Sequence, residues 1–366
     1  MLNYHLEQEN LFEPHNLDYI ARTPHRPLDT ISNYVVEALP KKLAAIRADG
    51  KPTALVSQLV EETNALTKPF TLSAYRELGE EEQQIASLDV QMLQSAVIHS
   101  HGFPGNNLRH AAEVISAYLG RPNILTYGEI IVSNPLRDIR TFTRNAVGHS
   151  ESSFYALHQL IENEFIALNE RLESAQSYLQ NCSSTSAVEE LIDATDILKG
   201  CRTMMGLLQK MPWDHYETFR TYLHAHTGLQ GPSGYFSHGV AIMDLRFAGK
   251  RLTKEFFTSL DADIKQGYYP DDEKVKVALE LARRDKSLVD LALKKDDPLL
   301  SRSIRNFAQA VLEFRGAHHA VVKTVVPDLL QDKRASTRGE TMPSRILNGR
   351  IQVYQKILEN LVPLST

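Results

Sequence analysis

The side chains with the most suggestive spacing in this 366-residue chain surround an imidazole in an apolar helical stripe. Across residues 302–326, Ile304, Phe307, Val311, Phe314, Val322 and Val325 recur at three- and four-residue steps, the period of one helix face. His318 stands four after Phe314 and four before Val322, inside that face. His319 is turned about 100° away and shares a side with Arg315 and Lys323. Gly316 and Ala317 precede the pair, and a glycine inside a helix costs ~1 kcal/mol relative to alanine. Two small residues there predict a close approach, such as a flat ligand resting on the helix. His318 then has two readings. As a core histidine it hydrogen-bonds a neighbouring carbonyl. As a neutral imidazole it ligates a metal, with Arg315 or Lys323 meeting acidic groups at the edge of a cofactor.

A second inward histidine is predicted in 150–172, where Phe154, Leu157, Ile161, Phe165, Leu168 and Leu172 form a stripe and His158 shares their face. Ser150 is placed to cap this helix, and Glu151 suits the positive end of its dipole. His158 is again either a satisfied core histidine or part of an aromatic-plus-histidine wall over a cavity. Arg220 lies among Trp213, Tyr216, Phe219 and Tyr222, where a guanidinium wants a carboxylate or phosphate, or an ordinary glutamate partner. The loop 228–234, with three glycines, permits close passage of backbone past a ligand or simply joins two helices. The polar stretch Asp328–Thr341 is a linker or a lid.

The elements that carry these groups read as helices almost throughout. Helical periodicity covers 28–48, 53–66, 80–100 and 106–119, then 150–180, 185–210, 214–225, 233–247, 252–263, 273–296, 302–326 and 343–361. Glycine and proline punctuate the N-terminal part at Gly50–Pro52, Lys68–Phe70 and Gly102–Gly105. The one strand candidate is Ile124–Val132, chosen for its β-branched density. No repeat of fixed period is visible, which argues against a solenoid. The expected fold is all-α, with a smaller N-terminal helical domain over 1–140 and a larger helical domain over 141–366.

Composition narrows the function classes. A net charge of −5 without a basic block argues against a nucleic-acid partner. No apolar run approaches the ~20 residues that span a bilayer, and the first residues lack a basic segment followed by an apolar one. Two cysteines, Cys182 and Cys201, predict a reduced, cytoplasmic chain with no disulfide framework and no thioether-linked heme.

Several of these segments together resemble one family. Phe314-Arg315-Gly316-Ala317-His318 resembles the proximal-histidine helix of indoleamine 2,3-dioxygenase, tryptophan 2,3-dioxygenase and monodechloroaminopyrrolnitrin synthase, the last being the branch it looks most like. Val132-Ser133-Asn134-Pro135, Phe219-Arg220 with Tyr222, Gly231-Pro232-Ser233-Gly234 and Met342-Pro343-Ser344 are similar to that branch in the same order, over about residues 130–350. The resemblance implies a large helical domain of indoleamine 2,3-dioxygenase type holding heme b, with His318 as the iron ligand and Arg315 and Gly316 beside the cofactor. It implies that Arg220 binds a substrate carboxylate and that Phe154 stacks near an indole. His158 would be the distal catalytic group, while Ser233, Gly234 and Thr341 line the substrate site. The implied partners are O2 and an aromatic amino acid such as tryptophan, with a homo-oligomer left open. Arg338 and Glu340 interrupt the segment 336–341, which is richer in glycine in the dioxygenases. Two other classes stay open: a non-heme metal hydrolase built on His99 and His101, and a non-catalytic helical interaction or heme-binding protein.

Overall fold

Apolar residues at helical spacing have to bury their stripes against one another. In the computed structural model, which describes residues 26–49, 51–226, 229–269, 273–325 and 343–360, they do so as helices. Among the described residues there is no strand, only an isolated bridge between His226 and Leu229. No described helix is long and apolar enough to cross a membrane. The chain divides into two compact units that interleave along the sequence: 1–118, 123–157 and 207–232 form the first, and 119–122, 158–206 and 233–366 the second. The sequence had suggested a single cut near residue 140.

The first unit is organised around the helix Glu80–His99, buried on every side from Ile85 to Val97. Glu80, Glu81 and Glu82 occupy its first turn, where a negative charge is favoured, and Glu82 accepts from the Gly79 N–H at 2.9 Å. A helix surrounded by protein must satisfy its polar side chains internally. Asp89 receives Arg140 Nε at 2.9 Å and Ser32 Oγ at 2.6 Å. Gln91 donates to Ser116 and Asn123 at 2.8 and 3.1 Å. Helix Asn106–Leu119 adds Leu108, Ala111, Ala112 and Ile115 as a single buried stripe.

The strand expected over Ile124–Val132 is instead a helical turn, with Gly128–Val132 in π conformation. Glu129 Oε2 accepts from both Thr126 N and Thr126 Oγ1 at 2.9 Å, and Thr126 Oγ1 receives the Glu129 N–H at 3.3 Å. That reciprocal Thr-x-x-Glu closure starts a helix, and it outweighs the β-branched propensity of Ile130, Ile131 and Val132.

In the second unit the helix His238–Ala248 is almost wholly buried. Phe247 packs on Phe307 at 4.7 Å and stacks on Tyr354 at 5.7 Å, which ties this helix to Pro298–Val325 and Pro343–Asn360. A Cβ on Gly239 would lie 2.4 Å from Phe165 Cβ, so only glycine allows this approach to the Asn145–Gln180 helix. The segment expected as one helix over 273–296 is broken into Glu273–Arg283 and Leu288–Ala292. Asp285 takes φ 55° there, and Ser287 with Asp290 forms a new capping box.

The Asn145–Gln180 helix begins five residues before the expected cap, and its residues up to Leu157 belong to the first unit. Ser150 is therefore inside the helix, with Oγ 2.8 Å from His215 Nδ1. Glu151 is fully buried and accepts from Phe142 N, Thr143 N, Thr143 Oγ1 and Tyr155 Oη. It binds the chain that leads into the helix rather than sitting exposed at its positive end.

Candidate functional site

The Pro298–Val325 helix buries Leu300, Ile304, Phe307, Ala308, Val311 and Phe314, as its periodicity requires. Phe314 meets Phe165 edge-on at 5.4 Å, fixing this helix beside the second-unit part of Asn145–Gln180. Beyond Arg315 the burial changes. Gly316 is exposed, and Ala317, His318, His319 and Ala320 are half-buried. Among the described residues, a Cβ at Gly316 would meet nothing within 4 Å beyond the backbone of its own helix.

His318 keeps solvent-accessible area yet is strongly desolvated by the protein around it. Burial first, then the charges of His158, Arg315, Arg350 and His319, push its pKa down to about 4. The ring is neutral at physiological pH and its lone pair is available to a metal. His158, also half-buried, is the nearest in influence of those charges, so the two inward histidines belong to one neighbourhood.

Arg315 is not turned to the rim as its helical position suggested. It is 3% exposed, and its Nη2 donates to Asp244 Oδ1 and Oδ2 at 2.6 and 2.8 Å. Burial lowers the guanidinium pKa, but Asp244 and Tyr354 overcome it and the net direction is upward. Tyr354 Oη adds a bond to Asp244 Oδ1 at 2.8 Å, and Arg350 Nη1 lies 3.3 Å from Oδ2. Arg350 also stands over the rings of Tyr235 and Phe256, at 4.9 and 5.2 Å. Arg315 Nε is buried without an acceptor among the described residues.

Ser233 and Gly234 open the short helical turn Gly234–Phe236, where Ser233 Oγ accepts the Tyr235 N–H at 3.3 Å. Gly234 is exposed with open space at its Cβ position. Thr341, with the whole segment 326–342, lies outside the described residues.

The first unit holds the other expected residues. Phe154 is half-buried against Tyr155, Tyr216 and Phe219, with ring centroids at 5.8, 5.5 and 5.5 Å. Arg220 ends the Trp213–Arg220 helix and is 3% exposed. Its Nη1 donates to Glu217 Oε1 at 2.5 Å, and its guanidinium carbon stands 5.8 Å from the Tyr216 ring centroid. Nε and Nη2 are buried with no hydrogen-bond partner among the described residues. The glutamate partner expected on spacing alone is present, but it uses one of the three nitrogens.

No family model matches the chain, and no curated protein matches it either.

His99 ends its helix facing His224 and His226, with ring centroids at 6.3 and 5.6 Å, and its Nε2 lies 3.2 Å from the His224 carbonyl oxygen. Among the described residues no group of three or more His, Cys, Asp or Glu side chains is arranged to hold a metal ion. The hydrolase built on His99 and His101 thus lacks its ligand set there. Cys201 is buried and its thiol is pushed up to about 12, chiefly by desolvation, which favours the protonated form.

Asp244, Tyr354 and Arg350 were not singled out by sequence reasoning. The signal was present in Ala241-Ile242-Met243-Asp244-Leu245, where an acid within an apolar helical run must find a buried cation.

Proposed function

We propose that this chain is a heme-dependent oxygenase-like protein acting on an indole or related aromatic amino acid, a relative of indoleamine 2,3-dioxygenase and tryptophan 2,3-dioxygenase nearest the monodechloroaminopyrrolnitrin synthase branch. One observation carries the reading: His318, on the same helix face as the buried Phe314, is desolvated by the protein around it, with His158 first among the charges that act on it.

The residues fit the group. His318 supplies a neutral imidazole, the donor that an axially ligated heme requires. His318 would hold the iron. The orphaned Arg315 Nε and the Arg350 guanidinium provide positive charge for an acidic edge. A heme bound there supplies the O2 chemistry, and the protein supplies position and exclusion of water.

In the first unit, Arg220 would bind the carboxylate of an amino acid through its open nitrogens, beside the aromatic wall of Phe154, Tyr216 and Phe219. Holding a substrate by its carboxylate fixes the orientation of its ring, so that the reacting groups are positioned before the cofactor does the oxidation. In the second unit, His158 would be a polar group beside the cofactor that His318 holds.

The test is spectroscopic. Protein expressed with a heme precursor should show a Soret band that His318→Ala loses and His319→Ala keeps. A colourless protein that hemin does not reconstitute would leave the non-catalytic helical interaction protein as the better account.

A further inference from the structure

We propose that His224 is a second donor to the carboxylate bound by Arg220, so that the subsite is a guanidinium–imidazole pair. This rests on the reading of Arg220 given above. Three buried nitrogens within five residues of chain, Arg220 Nε, Arg220 Nη2 and His224 Nε2, have no hydrogen-bond partner among the described residues. Buried polar atoms are almost always paired, so three orphans together call for a ligand. Nε and Nη2 form the side-on edge of the guanidinium, which matches the two oxygens of a carboxylate. Each carboxylate oxygen has a second lone pair, and a third N–H finds its acceptor there.

The backbone brings His224 into position. The turn Thr221–Leu223 continues directly from the Trp213–Arg220 helix and ends at His224. His99, at the end of the Glu80–His99 helix, takes the His224 carbonyl at 3.2 Å and stands edge-on to its ring. Among the described residues, the charged and titratable groups around His224 are Arg220 and Glu217 from one helix and His99 from the other, and His226 also stands against His99. Glu217 does not neutralise the subsite, since it meets Nη1 alone and its side chain is 37% exposed. Burial first, then the Arg220 charge, lowers the His224 pKa, so the ring is neutral before an anion arrives. A carboxylate reverses the second influence. Binding should take up part of a proton at His224 and tighten as pH falls towards 6, while ionisation of the ligand itself stays complete.

The experiment uses the full chain with indole-3-propionate as probe and 3-methylindole as its counterpart without a carboxylate. Calorimetric titrations in two buffers of different ionisation enthalpy should reveal proton uptake with indole-3-propionate and none with 3-methylindole. His224→Gln should abolish the uptake and weaken indole-3-propionate by about tenfold, the size of one hydrogen bond to a charged group, leaving 3-methylindole within about twofold. Unchanged affinity and uptake in His224→Gln overturns the proposal. If Arg220→Leu leaves indole-3-propionate binding intact, the Arg220 reading fails instead, and the two failures are thereby distinguished. Should His224→Gln not fold, imidazole resonances of the wild-type protein decide the matter: indole-3-propionate must raise the pKa of the ring assigned through His224→Asn, and an unmoved ring rejects the pair.

Discussion

Asp244 offers both carboxylate oxygens to Arg315 Nη2, at 2.6 and 2.8 Å, where neither side chain has appreciable contact with solvent. Tyr354 and Arg350 converge on the same carboxylate from the Pro343–Asn360 helix, so one acid joins three helices of the second unit. Removing one partner of such a knot leaves a buried charge uncompensated. Asp244→Ala should therefore cost about 3–5 kcal/mol of stability. Chemical denaturation of the single variant, compared with Asp244→Ala combined with Arg315→Met, measures it. The double variant should recover a large part of the loss, because the stranded guanidinium goes with its partner.

Gly316 gives a test in which stability and binding move in opposite directions. An alanine methyl there meets no other described residue within 4 Å beyond its own helix, and alanine is the better helix former by about 1 kcal/mol. Gly316→Ala should raise the denaturation midpoint. If the open space receives a heme, the same methyl group should slow or weaken hemin uptake, read from the growth of the Soret band. Unimpaired uptake would show that a bound cofactor does not touch the helix at this turn.

Two buried groups give opposite pH dependences. His318 has its pKa lowered to about 4, whereas an imidazole in the unfolded chain titrates near 6.5. Between those values the unfolded state binds the extra proton, so this contribution to stability is complete above about 6.5 and is lost as pH falls towards 4. Glu151 behaves the other way. Burial outweighs its four donors and raises its pKa to about 7 from an ordinary 4.5. Its contribution is complete below about 4.5 and is lost as pH rises through 7. Urea denaturation at pH 4–8 should show the stability gap between wild type and His318→Gln widening with pH up to about 6.5. The gap between wild type and Glu151→Gln should narrow from pH 4.5 to 7.

Helical periodicity made most of the fold legible, because a stripe at 3.6-residue spacing has few other ways to be buried. Phe314 and Phe307 lie on the buried face where that spacing puts them. Ile124–Val132 was misread because β-branched residues suggested a strand, while the Thr126–Glu129 capping box that decides its conformation was visible but not weighed. Arg220 is buried, as its aromatic company in the sequence suggests, whereas His318 and Phe154 are half-buried. The direction of Arg315 did not follow from the sequence, since it depends on Asp244, which lies 71 residues away and can be paired with it only in three dimensions. The interleaved units were hidden for the same reason: a division that returns the chain to the first unit at 207–232 leaves no break in composition.

Arg220 is held in a way that serves binding better than stability. Its guanidinium is 3% exposed, Glu217 satisfies one nitrogen, and the other two face no acceptor among the described residues. A buried cation with unmet N–H groups costs folding free energy, and the neighbouring rings of Tyr216 and Phe219 would accept an apolar side chain of similar reach. Arg220→Leu should therefore fold at least as well as the wild type, with a stability gain of up to about 1–2 kcal/mol. It should also lose binding of indole-3-propionate while keeping that of 3-methylindole. Active sites give up stability for groups poised to meet a ligand, and this pairing of a gain with a loss is their signature. Thermal denaturation together with calorimetric titration of indole-3-propionate checks both halves. A variant that is clearly destabilised would mean that Arg220 is a structural ion pair with Glu217, and that the carboxylate subsite lies elsewhere.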